Sequence, residues 1–137
     1  VNLKVESGEI LKVCYLDERS KTEFIQLLQG DLAPDRGRLL LDTMGYRPKD
    51  IHDAIRKGVC FVEEVPYRSM LLQNMTLAEN LCIPLHDKVP LFWMRSRYED
   101  LLGIKDGKRK LKNLKETTLQ QIAYTKWLLY APKVVVW

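Results

Sequence analysis

The apolar residues of this chain fall into short blocks, and the spacing within each block sketches the order of its elements. Leu3 and Val5 lead into the turn Gly8-Glu9 and then into Ile10-Leu11-Lys12-Val13-Cys14-Tyr15. That second run is almost unbroken in its apolar character, as in a strand covered on both faces. A polar stretch, 16–22, separates it from Phe24, Ile25, Leu27 and Leu28, whose spacing is that of an amphipathic helix with Gly30 placed to close it. Residues 31–37 form a turn-rich connector, and 38–42 predict a short strand.

Further along, Ile51, Ala54 and Ile55 mark a short helix that Gly58 ends, and Val59-Cys60-Phe61-Val62 reads as another buried strand. Thr76-x-x-Glu79 is a capping box, so a helix is expected from Leu77 to about Cys82. Pro90 suits the first turn of a further helix with Leu91, Met94, Tyr98, Leu101 and Leu102 on one face and Gly103 at its end. Thr118-x-x-Gln121 predicts a cap for a last helix over 119–130, followed by the strand Val134-Val135-Val136-Trp137. Strand, polar loop and helix in this order open an α/β nucleotide-binding fold.

Composition narrows the class without choosing a function. With 137 residues, 46% hydrophobic and 29% charged, the chain has material for one domain with a real core. It contains no uncharged apolar run of the roughly 20 residues that a membrane-spanning helix needs. The abrupt start and the end inside an apolar strand read as a piece of something longer. Cys14, Cys60 and Cys82 lie singly in apolar stretches, which predicts buried thiols in a reducing compartment and neither disulfide nor zinc. A net charge of +4 decides nothing by itself. Six of the residues in 105–115 are basic, but no aromatic residue is interleaved with them, so a solvated face is expected and a nucleic-acid contact is not.

The order of the pieces and several phrases within them resemble the ATP-binding subunits of ribose- and galactose-type sugar importers of the ATP-binding-cassette (ABC) family. The phrases are Gly8-Glu9-Ile10-Leu11, the stretch Gly30-Asp31-Leu32-Ala33-Pro34-Asp35-Arg36-Gly37 with Leu41-Asp42, and Asp53-Ala54-Ile55-Arg56-Lys57-Gly58-Val59. They continue with Met75-Thr76-Leu77-Ala78-Glu79-Asn80-Leu81 and with Gln120-Gln121, Lys126-Trp127-Leu128 and Pro132-Lys133-Val134. The resemblance runs from Val1 to Trp137. It implies a partial P-loop NTPase-like ABC nucleotide-binding domain, with a core α/β part over 1–66, a small helical subdomain over about 67–117, and a return to the core over 118–137.

The motifs that carry chemistry in such a domain are altered. A phosphate loop of the form G-x-x-x-x-G-K-[ST] needs glycines because its backbone turns through positive φ and lies close to the phosphates. Lys21 and Thr22 occupy the lysine and magnesium-hydroxyl places, after Tyr15, Leu16, Asp17, Glu18, Arg19 and Ser20, with both glycines gone. Ser20-x-x-Glu23 is also a capping box, which predicts Ser20 as the cap of the following helix, while Asp17 and Glu18 suit the helix dipole. Ser20, Lys21 and Thr22 are therefore the candidate nucleotide contacts, with Thr22 the candidate metal ligand, and ATP and Mg2+ binding is expected to be weak or lost.

Glu64 falls at the place of the Q-loop residue, and two solvated acids at a strand end, Glu63 and Glu64, explain the same positions as well. Leu114-Lys115-Glu116-Thr117 stands where the signature L-S-G-G is expected, keeping only the leucine, and Thr117 and Thr118 are expected to serve as helix caps. The last strand resembles the one preceding the magnesium-binding Asp and catalytic Glu; neither acid follows in these residues, His52 and His86 match no catalytic place, and no catalytic residue is assigned. The resemblance thus implies a cytoplasmic module, peripheral to the inner face of the membrane and not inserted in it. Its implied partners are a second ABC domain and a permease, and its role is coupling or dimerisation. A regulatory module outside transport, built on the same fold, is the alternative.

Overall fold

The computed structural model of the chain describes residues 2–63, 65–85 and 107–137. It divides into two compact units, Val1–Ile51 and His52–Trp137. Glu64, His86 and the helix expected between Pro90 and Gly103 lie outside the described residues.

The first unit is built on helix α1 (Glu18–Gln29). Its end follows from Gly30, which adopts φ 93°. A Cβ at that position would run into the Pro48 carbonyl, so only glycine closes the helix here without displacing backbone. The expected strand at 38–42 is shorter and turns back on itself: β1 (Leu40–Leu41) pairs antiparallel with β2 (Met44–Gly45). Asp42 and Thr43 make the turn at φ 50° and 69°. Both-positive φ is the geometry that matches a two-residue hairpin to strand twist. Tyr46 is the one buried hydrophobic residue among the described residues of this unit, and its hydroxyl donates to the Leu28 carbonyl at 2.6 Å.

The run 10–15, expected to be a covered strand, is extended but belongs to no strand, and Ile10 is 77% exposed. A strand is made by the ladder bonds of a neighbour, and none of the described residues supplies them. Cys14, expected to be buried with its run, is exposed for the same reason, whereas Cys60 and Cys82 are buried as expected.

The second unit holds all but the first residue of α2 (Ile51–Arg56), then Gly58 at φ 99°, leading into β3 (Val59–Phe61). Then come α3 (Pro66–Ser69), α4 (Leu77–Cys82) with a 3-10 turn at Ile83–Leu85, a second 3-10 turn at Leu111–Asn113, α5 (Glu116–Tyr130) and β4 (Val134–Val136). Strands β3 and β4 pair in parallel, with Val59 opposite Val134, Cys60 opposite Val135 and Phe61 opposite Val136. Parallel neighbours need a long crossover, and here α3, α4 and α5 provide it. Tyr130, in the last turn of α5, donates its hydroxyl to the Ile55 carbonyl at 3.1 Å and so ties the crossover back to α2.

Leu71, Leu111, Leu119 and Ala123 form the core of this unit, with Tyr67, Leu77, Leu114 and Ile122 packed around them. Leu111 is fully buried although it sits in the basic run, whose Lys108, Arg109, Lys110, Lys112 and Lys115 are exposed as expected. Removing one leucine side chain of this kind from water stabilises the fold by roughly 1.5–3 kcal/mol, enough to dock a hydrophilic segment. At α4 the capping box is complete: Thr76 Oγ1 accepts from the Glu79 amide and Glu79 accepts from the Thr76 amide at 2.8 Å. The last helix begins at Glu116, three residues before the expected start, so Thr117 and Thr118 lie inside it and cap nothing.

Candidate functional site

The residues singled out as nucleotide contacts are brought together on the first turns of α1, each with a partner inside the chain. The N-cap is Asp17, not Ser20. Asp17 has the extended backbone of a cap, with φ −151° and ψ 157°. Its carboxylate accepts the Ser20 backbone N–H at 2.7 Å through Oδ1 and the Ser20 hydroxyl at 3.0 Å through Oδ2. These bonds to the Ser20 amide and then to its hydroxyl stabilise the charged form and hold the carboxyl below the ordinary aspartate range. Asp and Ser are equally good caps, and the outcome turns on Glu23. Its carboxylate takes the Arg19 Nε–H at 2.7 Å, an i,i+4 pair, and so does not reach back to Ser20.

Lys21 and Thr22 follow on the same helix. Lys21 Nζ stands 3.7 Å from the Glu18 carboxylate, a loose pair between exposed groups. The Thr22 hydroxyl donates to the Glu18 carbonyl at 2.8 Å, one turn back along the helix. Before the helix, the Tyr15 and Phe24 rings meet at 6.0 Å between centroids, and partial burial raises the Tyr15 hydroxyl above its usual range. Tyr15 thus packs where the first glycine of the phosphate-loop pattern would stand.

The start of α5, where the signature motif is expected, is different. Lys115 is the N-cap and makes no side-chain capping bond, and Glu116 supplies the acid of the first turn. Beyond it, α5 carries the buried Lys126, whose Nζ donates to the Met70 carbonyl at 2.6 Å. Burial strips water from this ammonium and holds it below the ordinary lysine range. Asn80 on α4 is buried as well, and bonds backbone groups of Leu72 and Thr76. Both lie in phrases that carry the resemblance, but no local spacing discloses what they bond, because each acts on a loop closed only by folding. Among the described residues no cluster of His, Cys, Asp and Glu could hold a metal ion, and no helix is long and apolar enough to cross a membrane.

Comparison with known proteins extends this picture. No protein-family model matches the chain. It is 26% identical over 147 residues to the ribose import ATP-binding protein RbsA of Geobacillus kaustophilus, covering 99% of the chain and 30% of that protein. The xylose import ATP-binding protein XylG of Thermoanaerobacter pseudethanolicus is also 26% identical, over 148 residues, covering 99% of the chain and 29% of that protein. The chain therefore spans about three tenths of the length of the curated relatives it matches.

Among solved structures, CbiO1 of Clostridium perfringens, described as part of the ABC transporter complex CbiONQ, superimposes with a TM-score of 0.70 at 20% identity. It covers 98% of the chain and 55% of that structure. A dimeric, post-hydrolysis state of the ATP-binding cassette MJ0796 bound to ADP and Pi gives a TM-score of 0.55 at 20% identity, over 84% of the chain and 53% of that structure. By sequence along nearly its whole length the chain is a homologue of ribose- and xylose-import ATP-binding proteins, and its fold is that of an ABC ATPase nucleotide-binding domain.

Proposed function

We propose that these residues form part of the ATP-binding protein of a sugar importer, in which the phosphate loop is closed by the protein's own carboxylate. The part then serves dimerisation and coupling to a membrane permease rather than hydrolysis. The observation that carries this reading is the Asp17 carboxylate seated on the Ser20 amide and hydroxyl. Those donors, with the start of the helix behind them, are what a phosphate would use. With Lys21 turned toward Glu18 and the Thr22 hydroxyl bonded to the Glu18 carbonyl, the groups as arranged do not fit a magnesium-bound triphosphate.

On this reading the permease contact lies on the segment from Glu64 to Asn80, where Glu64 holds the Q-loop place and the helical part over about 67–117 begins. The protein works at the cytoplasmic face of the membrane beside a second ABC domain. The test is the ATPase rate of the intact protein against its Lys21→Ala variant. Rates that cannot be told apart and lie at background are expected. A wild-type rate well above the variant's contradicts the reading, since Lys21 would then be working on a phosphate.

A further inference from the structure

The basic run is fixed in place by its backbone, while its charged side chains are left exposed. It closes the first turn of α4: the Ala78 amide donates to the Gly107 carbonyl at 3.0 Å and the Leu77 amide to the Arg109 carbonyl at 2.9 Å. A helix start leaves amides without partners, so these carbonyls satisfy α4 and hold the run at once. Lys110 forms an antiparallel bridge with Thr76. Leu111 is fully buried in the core, and the Leu114 amide returns to its carbonyl at 3.0 Å. Lys108, Arg109, Lys110, Lys112 and Lys115 are exposed, and none makes an ion pair with another described residue. Of the acids beside them, Glu79 accepts from the Thr76 amide and hydroxyl at 2.8 and 2.7 Å, and Glu116 follows the run in sequence.

The positive charge of the chain is concentrated here. Residues 107–115 carry five cations and no acid, against a net +4 for all 137 residues, so everything outside them is slightly acidic. Five like charges held on one short path repel one another, and an anionic partner relieves that repulsion. The chemistry of the run favours a surface of many headgroups over a nucleic acid. Four of the five cations are lysines, point charges without the planar fork that reads base edges. No aromatic residue lies among them to stack on a base. Leu111 and Leu114 pack into the core, which leaves a polar segment fit to lie on headgroups and not to insert. We propose that residues 107–115 are an electrostatic docking strip for a membrane surface of anionic phospholipids. The contact needs neither nucleotide nor permease. Each lysine or arginine close to such a surface strengthens binding about fivefold. A strip already held by α4 and Leu111 docks without first losing conformational freedom.

The test is cosedimentation of the intact protein with two kinds of vesicle, phosphatidylcholine alone and phosphatidylcholine with phosphatidylserine in equal parts. It is run in about 0.1 M salt, where a charge acts over about 10 Å. Binding is expected to the mixed vesicles only, and to weaken as salt is raised. The triple variant Lys108→Gln, Arg109→Gln, Lys110→Gln is expected to bind them about a hundredfold more weakly. Removing three exposed cations elsewhere, by Lys12→Gln, Arg36→Gln and Arg38→Gln, is expected to change binding less than about threefold. Lys112→Gln with Lys115→Gln weakens binding by about twenty-fivefold and supplies the test should the first variant not fold. Equal binding to both kinds of vesicle, binding to neither, or equal losses in the two triple variants overturns the inference. So does tighter binding of duplex DNA or single-stranded RNA than of the mixed vesicles at the same salt, which would make the strip a nucleic-acid contact.

Discussion

The two helix starts proposed above as the places of the phosphate loop and the signature motif are built in different ways. At α1 the start is closed: Asp17 supplies the anion, and Ser20 gives it both an amide and a hydroxyl. At α5 the start is bare of side-chain capping, with Lys115 at the cap position and a bulky Glu116 after it. The first helix is therefore held at its beginning by a local charge, and buries no residue of its own among those described. The second is held by packing further along, through Leu119, Ala123, Lys126 and Tyr130. One terminus thus carries a side-chain ligand of the protein's own and the other carries none.

Substitutions that exchange the two situations test this contrast. The largest effect belongs to the packed helix. Leu119 is 6% exposed in the core of the second unit, and Leu119→Ala is expected to cost about 2–5 kcal/mol of stability in denaturant unfolding. A cost well under that range would mean that α5 is not held by its packed face.

Next comes the missing cap. Lys115→Ser gives α5 a hydroxyl for its free amides and is expected to raise stability by about 1 kcal/mol. The same readout applies, and a loss would show that Lys115 has a bond of its own to lose.

The smallest effect is a pH dependence at α1. Asp17 titrates lower in the folded chain than when unfolded, chiefly because the Ser20 amide bonds its charged form. Its contribution is therefore complete above the ordinary aspartate value and is lost as pH falls through the lower folded value. In an acid titration followed by NMR, the Ser20 amide is expected to shift with a midpoint below that of an ordinary aspartate, and Asp17→Asn to abolish the shift. A Ser20 amide insensitive to Asp17 protonation would remove the cap from the account.

What the sequence disclosed depended on whether a pattern had competitors. At α4, Thr76 is followed three residues later by Glu79 whereas the nearby Asn74 has no such acid, and the helix Leu77–Cys82 begins and ends where the pattern puts it. At α1, two good caps lie three residues apart, and Glu23 could serve either Ser20 or Arg19; only the folded geometry gives it to Arg19. At α5, Thr118-x-x-Gln121 looks like a start but lies inside a helix that the acid and the buried face carry back to Glu116. The run 10–15 has the composition of an inner strand, yet a strand also needs a neighbour, which composition does not contain. Lys126 reaches a carbonyl 56 residues away, and no local spacing encodes that.

The proposal that Asp17 fills the place of a bound phosphate is tested most directly by titration calorimetry of the intact protein with magnesium-ATP. The account predicts no saturable heat for the wild type in the micromolar range, and measurable binding only when Asp17 and Glu18 are both replaced by glycine. A micromolar affinity in the unaltered protein would contradict it.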